Sequence, residues 1–192
     1  DLYEGKTTYK KVYNKLEKEG LDKMYNINRD LFAKIPHLVP KLLDITREEN
    51  SVTITMEKVK GITMKKFLEE KHTPDIVKRV INSLIDAVLS LHKAGYLHGD
   101  LHEGNIIIKE DLSIILIDFD TCTEYSDEYL DDSGDLDCIR SHITRMIFSI
   151  NTEDISINKL IKLTRNMRVE DVFCYETDKE TATSLYEMFK KF

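Results

Sequence analysis

Apolar residues along this chain follow three different rhythms, and each predicts a different element. Between 74 and 93, Ile76, Val77, Val80, Ile81, Leu84, Ile85, Val88 and Leu89 recur at spacings of three and four. That period gives a helix with one broad buried face. Thr73 offers an N-cap oxygen, Pro74 fits the first turn, and Gly95 ends the run. In SVTITMEKV, Val52, Ile54 and Met56 alternate with Thr53 and Thr55, which predicts a strand paired with KLLDI across REEN. NIII and SIILI are unbroken apolar runs on either side of a polar turn at Glu110-Asp111. Residues 105–109 and 113–118 are therefore expected to form a buried hairpin.

The flanking segments carry weaker patterns. Thr7 to Tyr13, rich in Thr, Tyr and Val, reads as a strand after a turn at Glu4-Gly5-Lys6. Residues 14–35 read as helical and broken near Gly20, with Leu31, Phe32 and Ile35 as an apolar stripe, and Pro36 and Pro40 as stops. Further helices are expected at about 135–150, 154–167 and 179–191. A strand-rich first quarter followed by a helical remainder predicts an α+β protein of two unequal lobes, residues 1–57 and 58–192. Neither an internal repeat nor a Pro/Gly/Ser linker interrupts it.

Composition narrows the classes of function. The 192 residues suffice for one domain or two small lobes sharing a cleft. With 41% hydrophobic and 33% charged residues, the chain suits a folded globule better than a disordered one. A net charge of -7 removes any overall basic footprint for nucleic acid. The apolar runs fall far short of a membrane span. Cys122, Cys138 and Cys174 are odd in number, widely spaced and without a zinc-binding pattern. They are expected to be free thiols in a reducing compartment, the cytoplasm, or the host cytosol for a secreted effector or viral protein.

Candidate chemistry gathers at the hairpin. Asp100 and Asn105 precede its first strand and Asp118 ends its second. A hairpin brings those ends together, so three oxygen-bearing side chains meet at one rim. Carboxylate and amide oxygens suit magnesium, and a further carboxylate can orient or deprotonate a hydroxyl. That combination moves a phosphoryl group. Taken singly, each residue is more often a turn former or cap. Their joint spacing, H-x-D-x-x-x-x-N followed by apolar-Asp-Phe, is the more specific signal.

HGDLHEGN at 98–105 and IDFD at 117–120 resemble the catalytic loop and metal-binding motif of the protein-kinase-like superfamily. The likeness extends over nearly the whole chain. It implies a two-lobed fold with a truncated β-rich N-lobe and a mostly helical C-lobe, and it implies ATP and Mg2+ as cofactors. Asp100 would be the catalytic base, with His102 beside it to steady the transferred phosphate. Asn105 and Asp118 would hold the metal. TITMEKVKG resembles the hinge between lobes, with Met56 as gatekeeper, the backbone from Glu57 to Val59 against adenine, and Ile107 also against the nucleotide. Laying TTYK on the family's V-A-I-K selects Lys10 over Lys11 as the phosphate lysine, with Tyr9 on the packed side. Asp135 resembles the buried aspartate that opens the next large helix. His98 is expected to pack beside Phe119 and hydrogen-bond backbone.

Four departures qualify the likeness. Only Gly5 precedes Gly20, so no G-x-G-x-x-G loop exists within the chain; that loop is expected ahead of Asp1 or is lacking. Asn28 stands where the family's helix supplies a glutamate to the lysine. Gly99 replaces the arginine of HRD, so no activating phosphorylation is expected. Asp120 replaces the glycine of DFG and could touch metal or merely shape a turn. The leading expectation is an ATP/Mg-dependent atypical Ser/Thr protein kinase, with a protein substrate or activating protein partner. A pseudokinase or nucleotide-binding interaction module is one alternative. A small-molecule kinase of the aminoglycoside or choline type is another.

Overall fold

Strands β1 (Thr8–Tyr13), β2 (Leu42–Arg47) and β3 (Val52–Glu57) form an antiparallel sheet in the order β1-β3-β2. The computed structural model describes residues 7–124 and 133–150. The expected alternation in β3 is present: Val52 and Ile54 are buried, while Thr53 and Thr55 are half-exposed. Between β1 and β2, helix α1 (Lys18–Lys34) packs on β2 and buries Leu21, Met24, Ile27, Leu31 and Phe32. This helix is continuous, against the expected break near Gly20. It starts only after Glu17, so Gly20 falls in its first turn rather than at mid-helix.

The rest of the chain builds β4 (Ile62–Thr63), α2 (Met64–Leu68), α3 (Pro74–Lys93), β5 (Tyr96–Leu97), β6 (Ile106–Ile108), β7 (Ile114–Leu116), β8 (Thr123–Glu124) and α4 (Ser133–Ser149). The expected caps of α3 are in place. The Thr73 side chain accepts from the Ile76 N–H, and Gly95 takes a left-handed φ of 93° just past the Ala94 C-cap. Its apolar face is buried from Val77 through Leu91, and each large side chain contributes about 1.5–3 kcal/mol by leaving water. The short elements β4, α2, β5 and β8 were not legible in the sequence. At two to five residues they are too brief to show a period.

Strands β6 and β7 form the expected hairpin, with β4 on the outer side of β6 in the order β4-β6-β7. A single apolar cluster runs from Leu31 and Phe32 through Ile54 to Leu84, Ile106, Leu116 and Met146. The Leu116 N–H donates to the Leu38 carbonyl at 2.8 Å, tying the hairpin to the segment after α1. Cys122 and Cys138 are free thiols. Among the described residues no helix is long and apolar enough to cross a membrane. The helices expected at 154–167 and 179–191, the turn at 4–6 and Cys174 lie outside the described residues.

Candidate active site

Strand pairing sets the rim of the hairpin. Ile106 stands opposite Leu116, so the residues just outside this pair, Asn105 and Ile117, are neighbours. The Ile117 N–H donates to the Asn105 carbonyl at 3.0 Å, which carries Asp118 to the same edge. Asn105 is buried at 5% exposure, and its amide nitrogen donates to the Asp100 carbonyl at 2.9 Å and lies 3.4 Å from Asp100 Oδ2. With the nitrogen so engaged, the amide oxygen is the atom left for a cation. Asp118 adopts φ 65°, a left-handed conformation that costs an aspartate on the order of 1 kcal/mol. Two oxygen donors and no thiolate or imidazole suit magnesium, which keeps several waters and completes its shell with substrate phosphates.

Beneath the loop, Asp135 of α4 is 2% exposed and accepts three hydrogen bonds. They come from the backbone N–H of His98 at 2.8 Å, that of Gly99 at 2.9 Å, and His92 Nε2 at 3.0 Å. Burial alone would raise this carboxyl, but those donors hold it below its ordinary value. His98 is fully buried, bonds the Ile117 carbonyl through Nε2 at 3.0 Å, and packs against Phe119 at 4.8 Å between ring centroids. Its Nδ1 accepts from the Asp100 N–H at 3.3 Å, which assigns the Nε2 proton, and burial keeps the ring neutral. His142 holds the loop from α4 through the Leu101 carbonyl at 2.8 Å.

Gly99 explains its own departure from HRD. Its φ is 77°, and a Cβ there would lie 2.9 Å from the Thr121 carbonyl oxygen. Thr121 is drawn in by donating its hydroxyl to the His98 carbonyl at 2.9 Å. An arginine fits neither the backbone conformation nor the space.

A cleft of about 290 Å³ opens between the β1-β3-β2 sheet and the hairpin. Met56, Glu57, Val59, Ile107, Asn105 and Asp118 all line it. Asp100 and His102 do not; they lie one step further out, reached through Asn105. His102 Nε2 is 3.8 Å from Asp100 Oδ2, while its Nδ1 accepts the Gly104 N–H at 2.9 Å. The expected placement of Lys10 requires correction. Lys10 stands opposite Thr55 and is exposed, whereas Lys11, opposite the buried Ile54, enters the cleft. Directly opposed residues in antiparallel strands share a face. Tyr9, Lys11 and Tyr13 therefore accompany Met56, Ile54 and Val52, and Tyr9 lines the cleft rather than the far side.

Lys11 Nζ lies 2.5 Å from Asp118 Oδ1 and 2.5 Å from Asp120 Oδ1. Burial would lower its pKa, but hydrogen bonds and charge from both carboxylates raise it. Asn28 lines the cleft as its position suggested, though its amide nitrogen donates to the Met24 carbonyl at 2.8 Å. Sequence reasoning passed over Lys11 in favour of Lys10, missed Tyr13, and gave Asp120 a metal contact or a turn rather than a contact with Lys11. The signal for Lys11 and Tyr13 was available in the alternation Tyr9, Lys11, Tyr13 set against the apolar alternation of β3.

This geometry, with an acidic loop, an amide and aspartate across a hairpin and a lysine on the facing sheet, agrees with the comparisons. A family model described as the protein kinase domain matches residues 4–136, well over half of the chain. The chain belongs to the protein kinase family. The mouse "Hormonally up-regulated neu tumor-associated kinase" is 42% identical to this kinase over 83 residues, 42% of this chain and 12% of the mouse protein. The mouse "PAS domain-containing serine/threonine-protein kinase" is 34% identical over 94 residues, 46% of this chain and 7% of that protein. This kinase chain thus spans a small part of the length of the curated relatives it matches. Among solved structures, the bifunctional kinase-methyltransferase WbdD superposes with a TM-score of 0.54 at 17% identity, over 98% of this chain and 42% of that one. At that identity the likeness concerns the fold alone.

Proposed function

We propose that this kinase transfers the terminal phosphoryl group of ATP, with magnesium, to a serine or threonine hydroxyl of a protein. The observation that carries the reading is the closure of Lys11 from β1 onto Asp118 at the hairpin rim. It brings a cation for nucleotide phosphates to the same place as two oxygen donors for a metal. Met56, Glu57, Lys58, Val59 and Ile107 line the cleft, where they would meet adenine. The Glu57 and Lys58 N–H groups are engaged by the Lys41 and Thr7 carbonyls, and Val59 makes no such bond among the described residues. Asn105 Oδ1 and Asp118 would hold magnesium, whose charge would offset that of the transferring phosphate. Asp100, half-exposed beside Asn105, accepts the proton of the acceptor hydroxyl, and His102 flanks it. Residues 1–57 and 58–192 serve as the two lobes, in a reducing cytoplasm.

Two features favour a protein acceptor. The names of its relatives include a serine/threonine-protein kinase. The stretch between the hinge and α3 holds only β4 and the five-residue α2, a short span on which to build a small-molecule acceptor pocket. Activation needs no phosphorylated loop, because Gly99 replaces the arginine that would answer one.

The test presents the full-length protein, labelled ATP and magnesium with casein-like proteins, sugars, aminoglycosides and amino alcohols. Label is expected on serine or threonine of the proteins, with turnover falling by roughly 10³-fold in Asp118→Ala at an unchanged melting temperature. Label confined to small molecules would move the chain to the small-molecule kinases. Neither transfer nor magnesium-dependent stabilisation by ATP would leave an interaction module.

A further inference from the structure

Two carboxylates grip one ammonium in this cleft, one more than a phosphate lysine requires. Asp118 and Asp120 each place Oδ1 at 2.5 Å from Lys11 Nζ. Their situations differ. Asp118 stands at the rim with Asn105 and belongs to the metal in the reading above. Asp120 receives a second hydrogen bond, from the Tyr13 hydroxyl at 2.5 Å, and Lys11 lies over the Tyr13 ring at 5.3 Å from its centroid. Tyr13 and Lys11 sit on the same face of β1, two residues apart, so the strand presents ammonium and hydroxyl to one carboxylate together. From α1 the cleft is lined by Asn28 and Phe32, and neither carries a charge to balance the ammonium.

We propose that Asp120, steadied by the Tyr13 hydroxyl, is the positioning residue for Lys11, taking the part that a carboxylate on α1 would otherwise play. This rests on the phosphotransfer reading and deepens it. Asn105 and Asp118 would hold a cation, and with the Asp118 oxygens so engaged Lys11 would keep Asp120 as its partner. The residue that replaces the DFG glycine and the loss of a charged side chain from the helix are thus one change. The counter-ion has moved from α1 to the exit of the hairpin, where it is fixed in sequence two residues from the metal ligand.

The experiment uses the full-length protein and two readouts. The first is the rate at which an amine-reactive ester modifies Lys11 without nucleotide, followed by peptide mass spectrometry. The second is KM for ATP against kcat. In Asp120→Asn, which keeps the shape and removes the charge, Lys11 modification is expected to rise at least fivefold. KM for ATP should rise about tenfold, with a smaller fall in kcat. Tyr13→Phe should move both readouts the same way by about twofold, and it provides a second route should Asp120→Asn fold poorly. In Asp120→Gly, adding Asn28→Glu is expected to return both readouts to within about threefold of the parent. The proposal is overturned if Asp120→Asn and Tyr13→Phe leave modification and KM within experimental error while Lys11→Met abolishes ATP affinity. It is equally overturned if Asn28→Glu restores nothing. A parent protein that transfers no phosphoryl group to any acceptor defeats the phosphotransfer reading instead, and the modification rates still decide the role of Asp120.

Discussion

The sheets β1-β3-β2 and β4-β6-β7 are both three-stranded and antiparallel, yet they hold their functional residues by different means. In the second, Ile106 and Leu116 are both fully buried, and α3 covers β7. Asn105 and Asp118 are therefore positioned by packing, one residue before and two residues after strands that cannot shift without opening the core. In the first, β1 is an edge strand among the described residues, and Thr8, Tyr9, Lys10 and Val12 are exposed. Lys11 is held there by charge, from carboxylates on the far side of the cleft. A packed wall faces an electrostatically latched one. The Asn105–Asp118 rim is thus preformed, while Lys11, held by charge alone, can exchange partners.

The contrast can be broken most forcefully at the hairpin. Leu116→Ala should cost about 2–5 kcal/mol in chemical denaturation, whereas the similar truncation Val12→Ala on β1 should stay within roughly 0.5 kcal/mol. Equal costs would mean that both sheets are held alike. A smaller loss is expected from Gly99→Ala, about 1–3 kcal/mol, from the left-handed backbone together with the 2.9 Å approach to Thr121. This variant should also lower turnover by shifting Asp100, and a variant of wild-type stability and activity would show that the loop tolerates a side chain.

Acid sharpens the comparison with the least effect. Burial depresses both His98 and His142 below the ordinary value of 6.5. In the unfolded chain they take up protons near that pH, while the folded protein resists until lower pH. Their contribution is therefore fully present above pH 6.5 and is lost as pH falls through the depressed values. The groups of the latch change elsewhere: Lys11 is raised above 10.5, and Asp120 is lowered below 3.8 because hydrogen bonds from Lys11 and Tyr13 outweigh its burial. Melting temperature should fall between pH 7 and 5, less steeply in His142→Gln. Hydrogen exchange should loosen the catalytic loop and hairpin before β1. Simultaneous loosening of both would contradict the assignment.

Much of this arrangement could be read along the chain because the signals are local. The period of α3, the twin apolar runs of β6 and β7, and the spacing of Asp100, Asn105 and Asp118 each follow from a few consecutive residues. Asn28 was also placed correctly, since the apolar stripe of α1 fixes its phase. Lys10 failed for a different reason. Which face of β1 meets the cleft depends on its register with β3, and a shift of one residue exchanges every side chain between faces. That register is a pairing between residues more than forty positions apart: Lys11 with Ile54.

The amino-acid order alone determined α3, the hairpin and the acidic rim, because backbone propensity and amphipathic period act over one or two turns of chain. Only the tertiary structure decided which lysine enters the cleft and what holds it there. Lys11 and Asp120 are brought within 2.5 Å across 109 positions of sequence. No local rule links two such charges. Their meeting is set by how the sheet closes over the hairpin, which is a property of the packed core as a whole.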